Sequence, residues 1–374
     1  MDKDTFNTVL EHGIKAPSGD NVQPWKIAPY DGFLGFDLFT EENNDDFFDI
    51  NHNAGFMDCG TLLENTRLSA LHHGYDAEIS LDNDWSSLKA ASVSFTPATK
   101  KENTSMIDEM LYSQIGKRAA QRVPFSRDDL PPDFYKELKI ICDRYKDAKL
   151  IILKNKRADA EEKEKTLSKK AEQVKELLYR TETLRYTVQG AHHTVSHNFR
   201  LNKRQVNSTR TGLDYRTLGI PLLPKATAYM LSSWSFQRFM NTFGGQYLMA
   251  GISAKKPLDK SAGIGIITIK ENSKSLLIRS AMLWESIWLL LAKYDAYLQP
   301  FATLNFFIRR VDAGGEGFDE KQRVLLRSVY KRFKEIVGMK DLEELSMCFR
   351  YGKAPEPKVR SLRKPLESFL QQAQ

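Results

Sequence analysis

Residues Ala16-Pro17-Ser18-Gly19-Asp20-Asn21-Val22-Gln23-Pro24-Trp25 decide how this chain is read. Two prolines bracket the polar core of the run, so no helix continues through it. Gly19 opens backbone conformations closed to other residues. Ser18, Asp20, Asn21 and Gln23 supply hydrogen-bonding side chains, and Trp25 ends the run with a large ring. Pro, Gly, Asn and Asp also build ordinary turns, so one reading is a helix-to-strand turn anchored by a Trp. The other is a polar loop that grips a flat ligand.

The rest of the chain bounds these readings. Its 374 residues suffice for one large domain or two ordinary ones, and 41% hydrophobic residues support a sizeable core. The net charge of +7 is modest for this length and suits an anionic ligand such as a phosphorylated cofactor. No reader motif for nucleic acid accompanies the basic residues. Cys59, Cys142 and Cys348 are odd in number and far apart, which argues against a disulfide framework and for a reducing compartment. The first residues carry no signal-like apolar run. The apolar run near Trp284–Ala292 is interrupted by Glu285 and Ser286. A soluble cytoplasmic protein is expected, with small-molecule ligands and neither nucleic acid nor membrane as partner.

Upstream of the loop, Phe6, Val9, Leu10 and Ile14 recur at helical spacing and predict a helix over 4–15. Downstream, the pattern predicts strands at Trp25–Ala28 and Gly35–Phe39, a long helix at Ala54–His73, and strands at Ala77–Leu81 and Ala90–Phe95. Residues 98–105 read as a polar linker. Helices are expected at Met106–Gln121, Pro132–Tyr145, Ala158–Tyr179 and Trp234–Leu248, with a strand at Lys149–Leu153 and a loop at Gly212–Pro224. Gly263–Ile269 is a β-branched core strand, not a dinucleotide fingerprint, and Ser273–Ala292 a strongly apolar helix. Tyr297–Leu304 reads as loop and strand, Asp319–Val337 as a helix and Cys348–Gly352 as the last strand.

The loop resembles the signature of the FMN-dependent nitroreductase superfamily, P-S-x-x-N-x-Q-P-W, at Pro17, Ser18, Asn21, Gln23, Pro24 and Trp25. That family begins with R-R-S-x-R-x-F, whose arginines hold the FMN phosphate. Here the matching positions are Arg118 and Arg122; Ala119 and Ala120 replace the family's second Arg and its Ser, and Phe125 falls one place late. In simple members the arginine motif precedes the loop, whereas here it follows. This order is similar to the Acg-type and MoeY-like proteins, in which one chain mimics a dimer. The resemblance implies an α+β nitroreductase-like fold, with mixed or antiparallel sheet flanked by helices, in two fused unequal halves. Residues 1–98 would carry the loop. Residues 105–374 would carry the arginines, with 181–255 as a lid.

For the site, the resemblance implies FMN, with NAD(P)H as electron donor and a nitroaromatic, quinone or other small metabolite as acceptor. Pro17 and Ser18 would lie against the ring, and Asn21 and Gln23 at its polar edge or the ribityl chain. Gln299 and Pro300 would face the N5 edge. Arg118, Arg122, Arg360 and Arg363 would hold the phosphate, a dianion that guanidinium forks suit. Arg118 and Arg122, four apart on the expected helix, would share a face. His193 and His197 are also four apart, but Thr194 stands where H-E-x-x-H needs its Glu, so no metal is expected. With His192 they are surface, core or lid residues. Trp25, Trp284 and Trp288 are expected in the core. Two other functions stay open: an FMN-storing protein without turnover, and an accessory protein whose flavin site has decayed at Ala119 and Ala120. A homodimer beyond the internal one also stays open.

Overall fold

The computed structural model describes residues 1–42, 45–98, 106–155, 162–218 and 229–371. The expected linker after Ala98 and the end of the loop expected at 212–224 lie outside them.

Helix α1 (Lys3–Gly13) is capped by Asp2, whose carboxylate accepts from Thr5 N at 2.9 Å. It leads through the signature loop into a four-stranded sheet. Its strands are β1 (Trp25–Pro29), β2 (Gly35–Thr40), β3 (Tyr75–Leu81) and β4 (Lys89–Pro97), in the order β1-β2-β4-β3. A second four-stranded sheet holds β5 (Ala148–Lys154), β6 (Gly263–Ile269), β7 (Ala296–Pro300) and β8 (Glu344–Lys353), in the order β5-β6-β8-β7. All neighbours in both sheets pair antiparallel. The class is therefore α+β with antiparallel sheets and flanking helices, as expected. All seven residues of β6 are buried, which explains its unbroken β-branched sequence.

Each sheet places a 20-residue helix between its second and third strands: α2 (Asn53–His72) and the later apolar helix Lys274–Lys293. Between the sheets in sequence lies Pro132–Arg144 (α3), and between β5 and β6 lie Glu162–Arg185 (α4), Gln189–Asn198 (α5), Trp234–Asn241 (α6) and Gly245–Ala250 (α7). The apolar helix is α8, followed by α9 (Thr303–Asp312) and α10 (Glu320–Val337). Helices α2 and α8 run side by side in the same direction. Lys274 Nζ lies 4.3 Å over the Phe56 ring, Gly60 meets Ile278 and Ala281, and Ser286 bonds Glu64. A Cβ on Gly60 would fall 2.4 Å from Ile278 O, so only glycine allows this approach. By length and composition α8 could cross a membrane, but 78% of its apolar window is buried inside the protein. It feeds two separate hydrophobic clusters, through Leu283 and Trp284 in one and Ile278 and Met282 in the other.

The chain end returns to the first sheet. Ile27 N donates to Phe369 O at 2.9 Å, Gln371 N donates to Ile27 O at 2.8 Å, and Phe369 packs on Trp25. Residues 366–371 thus belong structurally beside residues 25–29.

Three elements differ from expectation. The helix expected at Trp234–Leu248 is broken into α6 and α7 by a turn at residues 242–244. The helix expected over 106–121 stops at Tyr112. Turns follow, and Ala120 then bridges Leu298 in parallel, with Gln121 N donating to Leu298 O. Strand β7 is a sheet edge, and its unpaired backbone groups capture this segment. The end of the stretch read as strand, at Leu304, is instead in α9. Leu304, Phe307, Ile308 and Val311 give that helix its buried face at i, i+3, i+4 and i+7.

Candidate functional site

The signature loop is held in a strained shape, though not where its glycine suggests. Asp20, Asn21 and Gln23 take positive φ values of 45°, 60° and 57°, whereas Gly19 does not. Gly19 serves by its amide, which donates to both Asp58 carboxylate oxygens at 3.1 Å. Ser18 Oγ accepts from Gln23 N at 3.0 Å, and Thr61 Oγ1 donates to Pro17 O at 2.8 Å.

Asn21 and Gln23 tie the loop to two distant segments. Asn21 Nδ2 donates to the carbonyls of Arg210, Gly212 and Leu362, and its Oδ1 accepts from Arg363 Nη1 at 2.6 Å. Gln23 Nε2 donates to Arg210 O at 2.8 Å, and its Oε1 accepts from Lys364 N at 2.9 Å. Gln23 is buried and does not line the cavity described next; its amide is fully used in this knot. The side chain expected at the ligand's polar edge therefore does not reach the cavity.

A cavity of about 840 Å³ opens beside the loop, within the usual size of small-molecule sites. Pro17, Ser18 and Asn21 line it on one side, and Arg118, Arg122, Arg360 and Arg363 on another. Gln299, Pro300 and His192 also reach it, whereas His193 and His197 do not; both are exposed on the outer face of α5. Met57, Ile115, Phe306, Met347, Trp284 and Trp288 give it apolar walls. Trp284 and Trp288 are core residues and cavity wall at once, while Trp25 is core only. Residues between Glu182 and Ser253, including Leu231, Gln237, Met249 and Ile252, form another part of its wall.

Arg118 and Arg122 both line the cavity although the segment that carries them is not helical. Ala119 and Ala120 line the cavity between them. The four arginines are not equally committed. Arg363 donates to Ala16 O, Lys15 O and Asn21 Oδ1. Arg360 donates to the carbonyls of Gly116, Lys117 and Arg118. Arg118 Nη2 donates to Lys15 O at 2.7 Å, and its guanidinium stacks 4.8 Å from the Trp288 ring. Arg122 is the least engaged: among the described residues its guanidinium makes one hydrogen bond, Nη1 to Thr217 O at 3.2 Å.

Several residues that sequence reasoning did not select shape this site. Glu285, fully buried, lies 3.0 Å from Arg118 Nε. The N–H does not point along that line, so the two form an ion pair without a hydrogen bond; Arg118 Nε and Glu285 Oε2 are buried without hydrogen-bond partners. Burial pushes the Glu285 carboxyl up to about 7, against the pull of Arg118. Burial also lowers Arg363 to about 9, with Arg118 adding repulsion. Arg350 is fully buried behind Gln299, donating to its Oε1 at 2.7 Å and to the carbonyls of Val123, Pro257 and Lys260. It lies flat on Phe125, 3.7 Å away. The Gln299 side-chain oxygen is thus spent on Arg350. On the acidic side, burial raises Asp46 to about 6, and raises Asp58 and Asp20 as well. The only sequence signal for these residues was their polarity inside apolar helices or beside the loop.

The residues present fit FMN. A flat apolar ring has the Trp and Met walls, a phosphate has the arginines, and the buried Nε1 of Trp284, a cavity-lining residue, has no hydrogen-bond partner. Among the described residues no group of His, Cys, Asp and Glu is arranged to hold a metal.

No family model and no curated protein matches the sequence. Among solved structures the chain is similar to an FMN-dependent nitroreductase of Mycobacterium smegmatis in complex with NADPH, at 12% identity over 70% of this chain and 96% of that one, with a TM-score of 0.38. It is also similar to a Bacteroides fragilis nitroreductase with bound FMN, at 12% identity, 68% and 94% coverage and a TM-score of 0.32. A third is an iodotyrosine deiodinase bound to FMN and 3-iodo-L-tyrosine, at 11% identity, 68% and 95% coverage and a TM-score of 0.35. At these values the functional reading rests on the chain's own residues.

Proposed function

We propose that this chain is an FMN-dependent oxidoreductase of nitroreductase type, in which two fused halves of one chain take the place of a dimer. The observation that carries this reading is the single cavity lined both by Pro17, Ser18 and Asn21 and by Arg118, Arg122, Arg360 and Arg363. The repeated strand order of the two sheets supports the fused halves.

In this reading Arg122 and Arg360 hold the phosphate by charge-assisted donors, while Arg118 and Arg363 lend charge and fix the loop. Trp284, Trp288 and Met57 would exclude water from the ring, and Pro17 and Ser18 would bound it on the loop side. The knot of Asn21, Gln23 and Arg363 keeps the strained loop in place without occupying the cavity with free donors. Bound FMN supplies two-electron redox chemistry, from a reduced nicotinamide to a small organic acceptor.

Reconstitution with FMN tests this. The protein is expected to turn yellow and to bleach on anaerobic mixing with NADH or NADPH. A yellow protein that neither nicotinamide bleaches is a storage protein, and a chain that stays colourless in excess FMN has no flavin function.

A further inference from the structure

Among the described residues, Arg118 is the one of the four cavity arginines within ion-pair distance of a fully buried carboxylate. Glu285 lies 3.0 Å from Arg118 Nε, does not itself line the cavity, and is closed off from water, so its charge is not screened. Arg360 also has an acidic partner, but Glu356 is exposed and its charge is screened by solvent.

Arg118 is held in place without Glu285. Its Nη2 donates to Lys15 O at 2.7 Å, and its guanidinium lies 4.8 Å from the Trp288 ring. Its Nε makes no hydrogen bond to the carboxylate, and Glu285 Oε2 has no partner either. The pair is therefore coupled by charge and not by a shared bond. A proton gained or lost at Glu285 changes the field at the cavity wall without releasing the guanidinium that lines it.

The surroundings place that proton in the neutral range. Burial raises the Glu285 carboxyl to about 7. Arg118 works against the rise, Glu64 of the neighbouring α2 adds to it, and Arg363 and the Asn65 amide work against it. Arg360 in turn repels Arg118. With Glu285 neutral, Arg118 presents its positive charge to the cavity. With Glu285 ionised, that charge is largely cancelled.

We infer that Glu285 sets the anion affinity of the arginine end of the cavity through Arg118, so that a phosphate group binds there with uptake of a proton. Glu285 is a positioning residue in this scheme, since it touches no ligand. The inference takes its ligand from the flavin reading, and it applies to any phosphate-bearing molecule at these arginines. The sign follows from linkage. A bound dianion repels ionised Glu285 and raises its carboxyl further, so affinity falls as pH rises through about 7.

Sulfate is the probe, because it stays a dianion throughout, whereas an organic phosphate titrates near about pH 6. The full chain is titrated calorimetrically at pH 6 and pH 8 at constant ionic strength. Wild-type affinity should be about fivefold weaker at pH 8, which corresponds to about one pKa unit gained by Glu285 on binding. At pH 7.5, in two buffers of different ionisation heat, the wild type should take up about half a proton per sulfate. E285Q should lose this uptake and bind at both pH values as tightly as the wild type at pH 6. Wild-type affinity that does not change with pH overturns the inference, as do absent proton uptake, absent sulfate binding, or wild-type pH dependence kept in E285Q. The wild-type proton count decides independently of how E285Q folds. FMN titrated in parallel separates the two readings: pH-linked sulfate binding without FMN binding sinks the flavin reading alone.

Discussion

Helices α2 and α8 invite comparison because they agree step for step. Each has 20 residues, and each has a small residue at the crossing, Gly60 or Ala281. Each buries a glutamate completely at the same step, Glu64 or Glu285. Each is followed by a residue of positive φ, Gly74 or Asp295, and then by a strand, β3 or β7. The glutamates even exchange partners: Ser286 donates to Glu64 at 2.6 Å, and Asn65, with its amide turned to donate, reaches Glu285 at 3.1 Å.

They differ in how their charge is met. Glu64 receives Arg67 from its own helix by two hydrogen bonds, at 2.7 and 2.9 Å, and Tyr145 Oη at 2.6 Å. Among the described residues, Glu285 has an ill-aligned Arg118 and Asn65. The cause lies in the connections. From α3 the chain reaches β5 through residues 145–147 alone, and Tyr145 closes over Glu64. From α1 it reaches β1 through the signature loop, and the cavity opens beside Arg118. One helix position thus holds a fully hydrogen-bonded carboxylate on α2 and, on α8, a buried carboxyl paired with a cavity-lining arginine.

Breaking the closed side should have the largest effect. Arg67→Ala leaves Glu64 buried without its cation and should cost about 3 kcal/mol of stability in urea denaturation, with FMN affinity little changed. Breaking the open side should do the reverse. Arg122→Ala removes the least committed guanidinium at the cavity and should weaken FMN binding by about 2 kcal/mol in a fluorescence titration, with stability nearly intact.

The pH dependence sharpens the contrast. A carboxyl raised in the folded state stabilises fully below its unfolded value, near 4.5 for Glu285, and that stability is lost as pH rises through about 7. Wild-type stability should therefore decline across this window, by at most about 1.4 kcal/mol per pH unit from this group. Glu285→Gln should flatten that decline, and an unchanged slope would assign it to other groups. The smallest effect is expected at His193 and His197, which are exposed and outside the cavity. Alanine at either should shift stability and FMN affinity by less than about 0.5 kcal/mol.

Much of this was legible in the sequence. The four strands within residues 25–97 and the buried β6 could be read from spacing and residue type, and the loop from its resemblance to a family signature. The loop and the arginines were expected around one ligand, and the structure brings them to one cavity. What was not legible depends on contacts made far along the chain. The segment carrying Arg118 and Arg122 has helical composition but pairs with the edge of β7, which local propensity does not register. Gln23 sits in the motif yet spends its amide on Arg210 and Lys364, residues unrelated to it in sequence. Arg350 and Glu285 read as charges inside apolar runs, and only their buried partners give them a place. Helix α9 was the exception: its 3.6 period was present at Leu304–Val311 and was masked by the strand before it.

The central claim is that one chain builds one flavin site from a loop in one half and arginines in the other, the second position being closed by Tyr145. Titrating the purified chain with FMN, followed by flavin fluorescence, tests it most directly. Quenching should saturate at one FMN per chain and be weakened by Arg122→Ala. Two FMN per chain, or no saturable binding, would contradict the account.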